Sequence, residues 1–459
     1  MRRQGSILVG VLWCMVLLSV LVIGTLHTAR MDLIAVKNYG DRVQAHYLAL
    51  AGVERAKALL YQDVVTRQHT GKNYTGSLYN DPKAFRDTAL GRGKFSVLHR
   101  ADQDDGGELV YGITDEERRL NLNIAQPAQF TNFAGITSDI ISAIVSWRSP
   151  ANPNAAANPQ TTPAGGSDAE YYLSLRPPYL PRNGPFQTVR ELLMVRGVTS
   201  DLLLGNDDNQ NGFLDIDPDP GEPPGLRPPP PPSPGWAQYL TVNDTEKNVN
   251  ASGAARVNPQ TADESALSGV SGITPEIARA IVQYRAQHEL QSLDDLLSVT
   301  AQNQNQNNND GTGASPRAAQ RGGQNGQNGG PTVISQDLLL QIADDLSLAA
   351  GDLQGLININ TASLNVLIAL PGVDRALAQN IVNYRKSSGY FDNVAQVLKV
   401  DGMTRHIFKQ IASLITTRSE TFRIVCEGRI PSSGARQRIE EIVHIGGEDI
   451  ETLGYREDL

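Results

Sequence analysis

Two cysteines in 459 residues, Cys14 inside an apolar run and Cys426 near the far end, exclude a disulfide framework and a cysteine-based zinc site. Seven histidines are scattered without metal-ligand spacing. There is no glycine-rich phosphate loop followed by lysine, no nucleophile elbow, and no assembled set of serine, histidine and aspartate. The chain therefore reads as a non-enzyme. Positive charge is also short: 40 Lys and Arg against 49 Asp and Glu leave a net charge of −9, which excludes a surface that is all footprint for nucleic acid. Aromatics are only 6%, while Gly 42 and Pro 26 point to long connections with no core of their own. At about 150 residues per domain, the length allows roughly three domains.

What is present begins at the N-terminus. From Gln4 to Ala29 no residue is charged, and about 20 residues at 1.5 Å rise span a bilayer core, so residues 7–26 are expected to cross a membrane. Arg2 and Arg3 precede this run, which predicts a cytoplasmic N-terminus and an exported bulk. Apolar residues then recur at three- and four-residue steps, Val36, Tyr39, Val43, Tyr47, Leu50 and Val53, predicting one continuous helix to about Gln62 with this stripe against a soluble domain. Gly24, Gly40 and Gly52 each weaken it by roughly 1 kcal/mol relative to Ala.

Three segments repeat one pattern. IVSWR at 144–148, IVQYR at 281–285 and IVNYR at 381–385 each follow a turn with a central glycine, Gly135, Gly272 or Gly372. Upstream lie Asn121 and Asn123, then Asn258, then Asn358 and Asn360; downstream lie FQTVRELLMVRGV, LQSLDDLLSV and FDNVAQVLKVDGM. Glycine permits the positive φ of a tight turn between helices, so the unit is helix, hairpin, helix and a further short helix. It resembles the helix-hairpin-helix module. In nucleic-acid-binding members of that family hairpin amides hold a phosphate, which here would make Arg375, Arg385 and Lys386 the contacts. Charge separates the copies. Within 358–418, Arg375, Arg385, Lys386, Lys399, Arg405, Lys409 and Arg418 outnumber Asp374, Asp392 and Asp401. Within 256–299, Arg256, Arg279 and Arg285 are outnumbered by Asp263, Glu264, Glu276, Glu289, Asp294 and Asp295. An acidic copy repels phosphate, so the modules read first as packing units of a protein assembly, with nucleic acid not expected as a partner.

Residues 150–185, 218–234 and 301–331 are rich in Pro, Ala, Asn, Gln or Gly and are expected to be mobile linkers. Residues 94–100, 108–114, 421–430 and 437–445 read as strands able to form one antiparallel sheet. The expected fold is α+β: a long N-terminal transmembrane and amphipathic helix on a pilin-like antiparallel sheet, with all-α helix-hairpin-helix modules inserted. The expected divisions are a leader at 1–5, the helix at 6–66, and the first part of the sheet domain at 67–120. The first module follows at 121–217, the second at 250–300, the third at 332–418 and the last strands at 419–459.

Asp207, Asn209, Asn211, Gly212, Phe213 and Asp215 fit positions one, three, five, six, seven and nine of a calcium loop, with Gly212 at the sharp turn and Phe213 offering its carbonyl. Position twelve is Pro218 instead of a bidentate Glu, so Asp217, Asp219 or Glu222 would complete a weak site.

The leader MRRQG, the retained apolar helix and its amphipathic extension resemble a type IV prepilin-like N-terminus, which implies cleavage between Gly5 and Ser6. That superfamily usually has Glu at the fifth mature position, paired with a neighbouring subunit; here it is Gly10, and a subunit with no neighbour above it avoids a buried unpaired carboxylate by losing the Glu. Together with YGITDEERRLNLN, TTRSETFRIVCEGRI and the terminal LGYRED, the chain resembles the protein K family of minor pseudopilins of type II secretion. The resemblance implies a structural role at the tip of a periplasmic pseudopilus, anchored in the inner membrane. It implies other minor pseudopilins and the inner-membrane secretion platform as partners, with secreted cargo or the secretin as further ones, and calcium as a ligand. The alternative is a membrane-anchored DNA receptor of the competence type, for which ININTAS and PGVDRALAQNIVNYR speak most directly.

Overall fold

A computed structural model describes residues 4–102, 108–150, 168–207, 235–300, 332–447 and 449–457. Helix α1 runs unbroken from Gln4–Thr70, and its first part is long and apolar enough to cross a membrane. Its second half covers an antiparallel sheet of six strands: β1 (Thr88–Leu90), β2 (Gly93–Val97), β3 (Thr114–Asp115), β4 (Thr421–Ile430), β5 (Ala435–Gly446) and β6 (Asp449–Arg456). The order is β1-β2-β4-β5-β6, with β3 pairing the start of β4 on the same edge that β2 pairs further along. Residues 94–100 and 108–114 are expected from sequence to be two strands of that one sheet. Instead β2 joins β4, His99 and Arg100 pair with Leu109 and Val110 in a separate ribbon, and the chain then returns to the sheet as β3.

The face that α1 buries keeps only Val53 and half-buried Leu50 of the stripe its large apolar residues predict. Ala45, Leu48, Ala49, Val53, Ala56, Leu60 and Val64 are buried against Phe95, Ile424, Cys426, Ile439 and Val443, while Val36, Tyr39, Val43 and Tyr47 stay exposed. Close approach decides this. A Cβ at Gly52 would collide with Cys426 and Phe95, and one at Gly428 would collide with the Ala45 carbonyl, so helix and sheet meet through small residues.

The described residues between β3 and β4 form one inserted helical region built on a single core that runs from Leu120 to Ile415. It holds three copies of one unit. Helices α2 (Ser138–Arg148), α4 (Pro275–Arg285) and α6 (Arg375–Ser387) follow the first turn of each copy; α3 (Ser200–Leu204), α5 (Gln336–Ile342) and α7 (Arg405–Ile411) follow the second. All six start on a side-chain cap: Thr137, Thr274, Asp374, Thr199, Ser335 and Thr404 each accept an N–H three residues on. Each copy is closed by a short parallel ladder, Leu120-Asn121 with Leu240-Thr241, Val257 with Leu346, and Ile357-Asn358 with Ile415-Thr416.

Two expectations are corrected. Helix α5 was assigned to the third module beginning at 332, yet Leu338 and Ile342 cover Gly272 as Ile407 and Gln410 of α7 cover Gly372, so α5 completes the second copy. Residues 301–331 thus interrupt the second copy within itself, and Thr300 and Thr332 pair across the gap. Within the expected linker 150–185, residues 168–185 are structured: Tyr172 is 1% exposed and packs edge-on to Trp147 at 5.3 Å, because its two aromatic neighbours supply the apolar area that composition hides. Residues 151–167, 208–234 and 301–331 lie outside the described residues.

Candidate functional site

Each copy is tied by the same clamp. The side-chain oxygens of Asn121, Asn258 and Asn358 each accept the N–H two residues on, making an Asx turn. The second amide side chain of each motif then reaches across its copy: Asn123 accepts the Phe186 N–H at 2.6 Å, Gln260 the Leu290 N–H at 3.0 Å, and Asn360 the Phe391 N–H at 2.8 Å. The arginine ending each central word locks the turn from below. Arg148 donates to the Leu122 and Ala125 carbonyls, Arg285 to the Pro259 carbonyl, and Arg385 to the Ile359 and Ala362 carbonyls. The repeated words are therefore a folding device.

The charge asymmetry between copies is spent between them. Arg405 of α7 donates to the Asp294 carboxylate at 3.0 Å and Lys409 to that of Asp295 at 2.6 Å, joining the basic third copy to the acidic second. Burial pushes the Asp295 carboxyl up, but the hydrogen bonds from Lys409 and from the Gln291 and Ser292 N–H groups, with the Lys409 charge, together outweigh it and the group lies below its ordinary value. Asn393 donates to the Leu340 carbonyl beside these pairs, and Asn132 of the first copy donates to the Ile368 carbonyl of the third.

Where the chain leaves and re-enters the sheet, ionisable groups are buried together. Asp115 Oδ2 accepts from Asn358 Nδ2 at 2.9 Å and from the Thr361 and Ser419 hydroxyls at 2.6 Å each. Glu116 bonds Arg119, Arg423 and the Thr241 hydroxyl; burial pushes its carboxyl up, but Arg119 and Arg423 hold it at about 2. Glu117 Oε1 accepts the N–H groups of Glu420 and Thr421 at 3.1 and 3.2 Å, which ties the outgoing segment to the returning one. Glu246 accepts from the Thr416 hydroxyl at 2.6 Å and faces Arg418 at 3.3 Å and Arg256 at 3.6 Å. Arg418 also pairs with Glu420, and Arg118 with Asp102. The sequence signal for this cluster is DEERR at 115–119, five consecutive charged residues straddling a strand end.

Residues 135–204, from the first hairpin glycine to the end of α3, match the family described as Type II secretion system (T2SS), protein K. This stretch is a protein K domain. Residues 252–305 and 354–416, in the second and third copies, match the helix-hairpin-helix motif. Endonuclease/exonuclease/phosphatase family domain-containing protein 1 of Mus musculus is 28% identical over 164 residues, 34% of this chain and 27% of that protein. ComE operon protein 1 of Bacillus subtilis (strain 168) is 38% identical over 63 residues, 14% of this chain and 31% of that protein. The chain thus spans less than a third of the length of either relative. Among solved structures, the GspK-GspI-GspJ complex from the enterotoxigenic Escherichia coli Type 2 Secretion System is similar at 11% identity and a TM-score of 0.43, covering 94% of this chain and 99% of that chain.

The protein K domain opens on Gly135, at φ +75°; Gly272 and Gly372 hold the matching turns of the other copies at +100° and +74°. Beyond its end, only Asp207 of the expected calcium loop is described, and Arg456 lies close enough to feel its charge. Asn209, Asn211, Phe213, Asp215, Asp217, Asp219 and Glu222 lie outside the described residues, and among the described residues no three His, Cys, Asp or Glu side chains stand where they could hold a metal. Gly5 and Ser6 lie in the first turn of α1. Of the expected phosphate contacts, Arg375 is exposed at the start of α6 and Lys386 at its end, but Arg385 is a clamp inside the copy, which corrects its assignment as a phosphate ligand.

Proposed function

We propose that this chain is a minor pseudopilin of type II secretion, cut between Gly5 and Ser6 and held in the inner membrane by residues 7–26. Its N-terminus is cytoplasmic and its bulk periplasmic, at the tip of a short pseudopilus that it helps to initiate. The observation that carries this reading is the protein K domain at 135–204, lying in a helical region inserted into a sheet whose covering helix continues into an apolar span. The exposed stripe Val36, Tyr39, Val43 and Tyr47 on α1 supports helix-to-helix contact with other minor pseudopilins beyond the membrane. The role is structural: the copies' recurring polar groups go into clamps and ion pairs. The platform is a further expected partner, as are cargo and the secretin. The reading includes a weakly bound calcium ion at 207–215, supported by spacing alone and tested by calorimetry on the full chain, where absence of calcium heat at millimolar concentration removes it.

Intact-mass measurement of the protein from membranes tests the whole proposal. A chain beginning at Ser6 is expected, together with co-purification of co-produced minor pseudopilins; a chain beginning at Met1 that captures none of them overturns it. The DNA-receptor alternative rests on the likeness of the third copy to the helix-hairpin-helix motif. Of that copy's seven basic residues, Arg385, Arg405, Lys409 and Arg418 already bond within the protein, so little charge is left for phosphate.

A further inference from the structure

The helical region is tied to the sheet by two chain segments side by side, residues 115–120 going out through a turn and 416–421 coming back. The Glu116 N–H donates to the Thr421 carbonyl, and the Asn358 N–H donates to the Glu117 carbonyl. Around this junction, Asp115, Glu117 and Asp244 are buried, at 4%, 2% and 5% exposure. Each guanidinium nearby is already engaged: Arg118 by Asp102, Arg119 and Arg423 by Glu116, Arg256 by Asp344 and Glu246, Arg418 by Glu246 and Glu420. Arg423 takes Glu440 of β5 as well. Among the described residues, Asp115, Glu117 and Asp244 have no ion-pair partner, and Glu117 Oε2 and Asp244 Oδ2 are buried without any hydrogen-bond partner.

We propose that this junction is a proton-operated hinge: Glu117, clipping the two segments together, holds a proton when the hinge is closed, and losing that proton to solvent loosens the clip and frees the helical region to swing on the sheet. The inference rests on the junction's own geometry and not on the pseudopilin reading. Glu117 faces Asp115 from β3, Asp244 and Glu246 from the segment after the first copy, and Glu420 and Arg418 from the segment that returns to the sheet. Arg418 is the one cation in that set, and it lies between two carboxylates of its own. Ionising Glu117 therefore places a bare charge in a buried site beside other carboxylates, which burial penalises first and repulsion second. Burial, then the charges of Asp115, Glu246 and Asp244, push its carboxyl well above the ordinary value; burial pushes Asp115 and Asp244 up to about 6. Because these values are raised in the folded protein, the stability they contribute is full at acid pH and is lost as pH rises through them. Beyond the junction, sheet and helical region also touch through Asn73, which donates to Asp344 and to the Asp392 carbonyl, through Tyr74 on Tyr390, through Lys247, which donates to the Gly446 carbonyl of β5, and through Gln238, which donates to Asp102. These are polar and ring contacts outside both cores, so a loosened clip leaves contacts that can part without unfolding either side.

The test uses the full chain in detergent or lipid nanodiscs between about pH 5 and pH 9, which covers a carboxyl group raised well above its ordinary value. Infrared difference spectra are expected to show a buried protonated carboxyl that disappears as pH rises, and amide exchange of residues 116–121 and 416–421, corrected for intrinsic rates, is expected to rise with the same midpoint. Glu117→Gln keeps the oxygen that accepts from Glu420 and Thr421 but cannot ionise; exchange there becomes independent of pH and the infrared signal shrinks. Asp244→Asn removes a neighbouring charge and moves the midpoint to lower pH. A wild-type protein with no such carboxyl signal overturns the proposal, whether or not the Gln variant folds. So does a Glu117→Gln protein whose exchange rises with the wild-type midpoint.

Discussion

The second and third copies share one scaffold and carry opposite charge, and their charged faces meet each other. Asn258 and Asn358 make the same turn, Arg285 and Arg385 lock it, and α5 and α7 cover the same glycine. What differs is the outer face, where Asp294 and Asp295 of one meet Arg405 and Lys409 of the other. A repeated unit whose copies differ in sign is thus as well explained by docking between copies as by binding of an external polyanion, and only the positions of the charges decide.

The copies also differ in how much each clamp does, which orders the expected effects. Asn360 makes three buried bonds, to Phe391 N–H, the Phe391 carbonyl and the Thr417 carbonyl, so Asn360→Ala should cost about 3 kcal/mol, read as lost exchange protection over 357–416. Gln260→Ala gives up the single bond to Leu290 and should cost about 1 kcal/mol. Next, Arg385→Ala loses two carbonyl partners and Arg285→Ala one, so urea unfolding should place the two variants about 2 and about 1 kcal/mol below wild type. Equal losses in both copies would show that the clamp is one device with no grading. For the Lys409–Asp295 pair, half-exposed on the lysine side, a double-mutant cycle should return a coupling of only about 0.5 kcal/mol, falling with salt. Smallest of all, replacing Arg375, Lys386 and Lys399 together by Ala should leave any retardation of DNA by the full chain unchanged; a salt-dependent loss would restore the third copy as a phosphate binder.

Much of this was legible because it is local. A glycine before an IVxYR word, an Asn two residues ahead of another amide and a Ser, Thr or Asp ahead of each helix are short-range signals, and they lie where such residues place turns and caps. Less was legible where the signal depends on what lies opposite. Tyr39 and Tyr47 outweigh Ala45 and Ala49 in any apolar pattern, yet the sheet accepts the alanines because Gly428 must pass close to the helix backbone. Strand β6 is exposed along most of its length and carries no alternation to announce it. The junction was hidden for a related reason: DEERR looks like solvated charge until β3, β4 and the ends of all three copies close over it.

Because the outgoing and returning segments are bonded to each other at Glu116 and Thr421, the sheet sees the helical region only as a loop whose two ends are one strand spacing apart. The described residues between them add only polar and ring contacts to the sheet side, such as Asn73 with Asp344 and Tyr74 with Tyr390, and share no apolar core with α1 and the sheet. Such an attachment tolerates growth by whole units: a further copy stacked on the array, or an insert such as residues 301–331 opened inside one, lengthens the head while the stalk keeps its register.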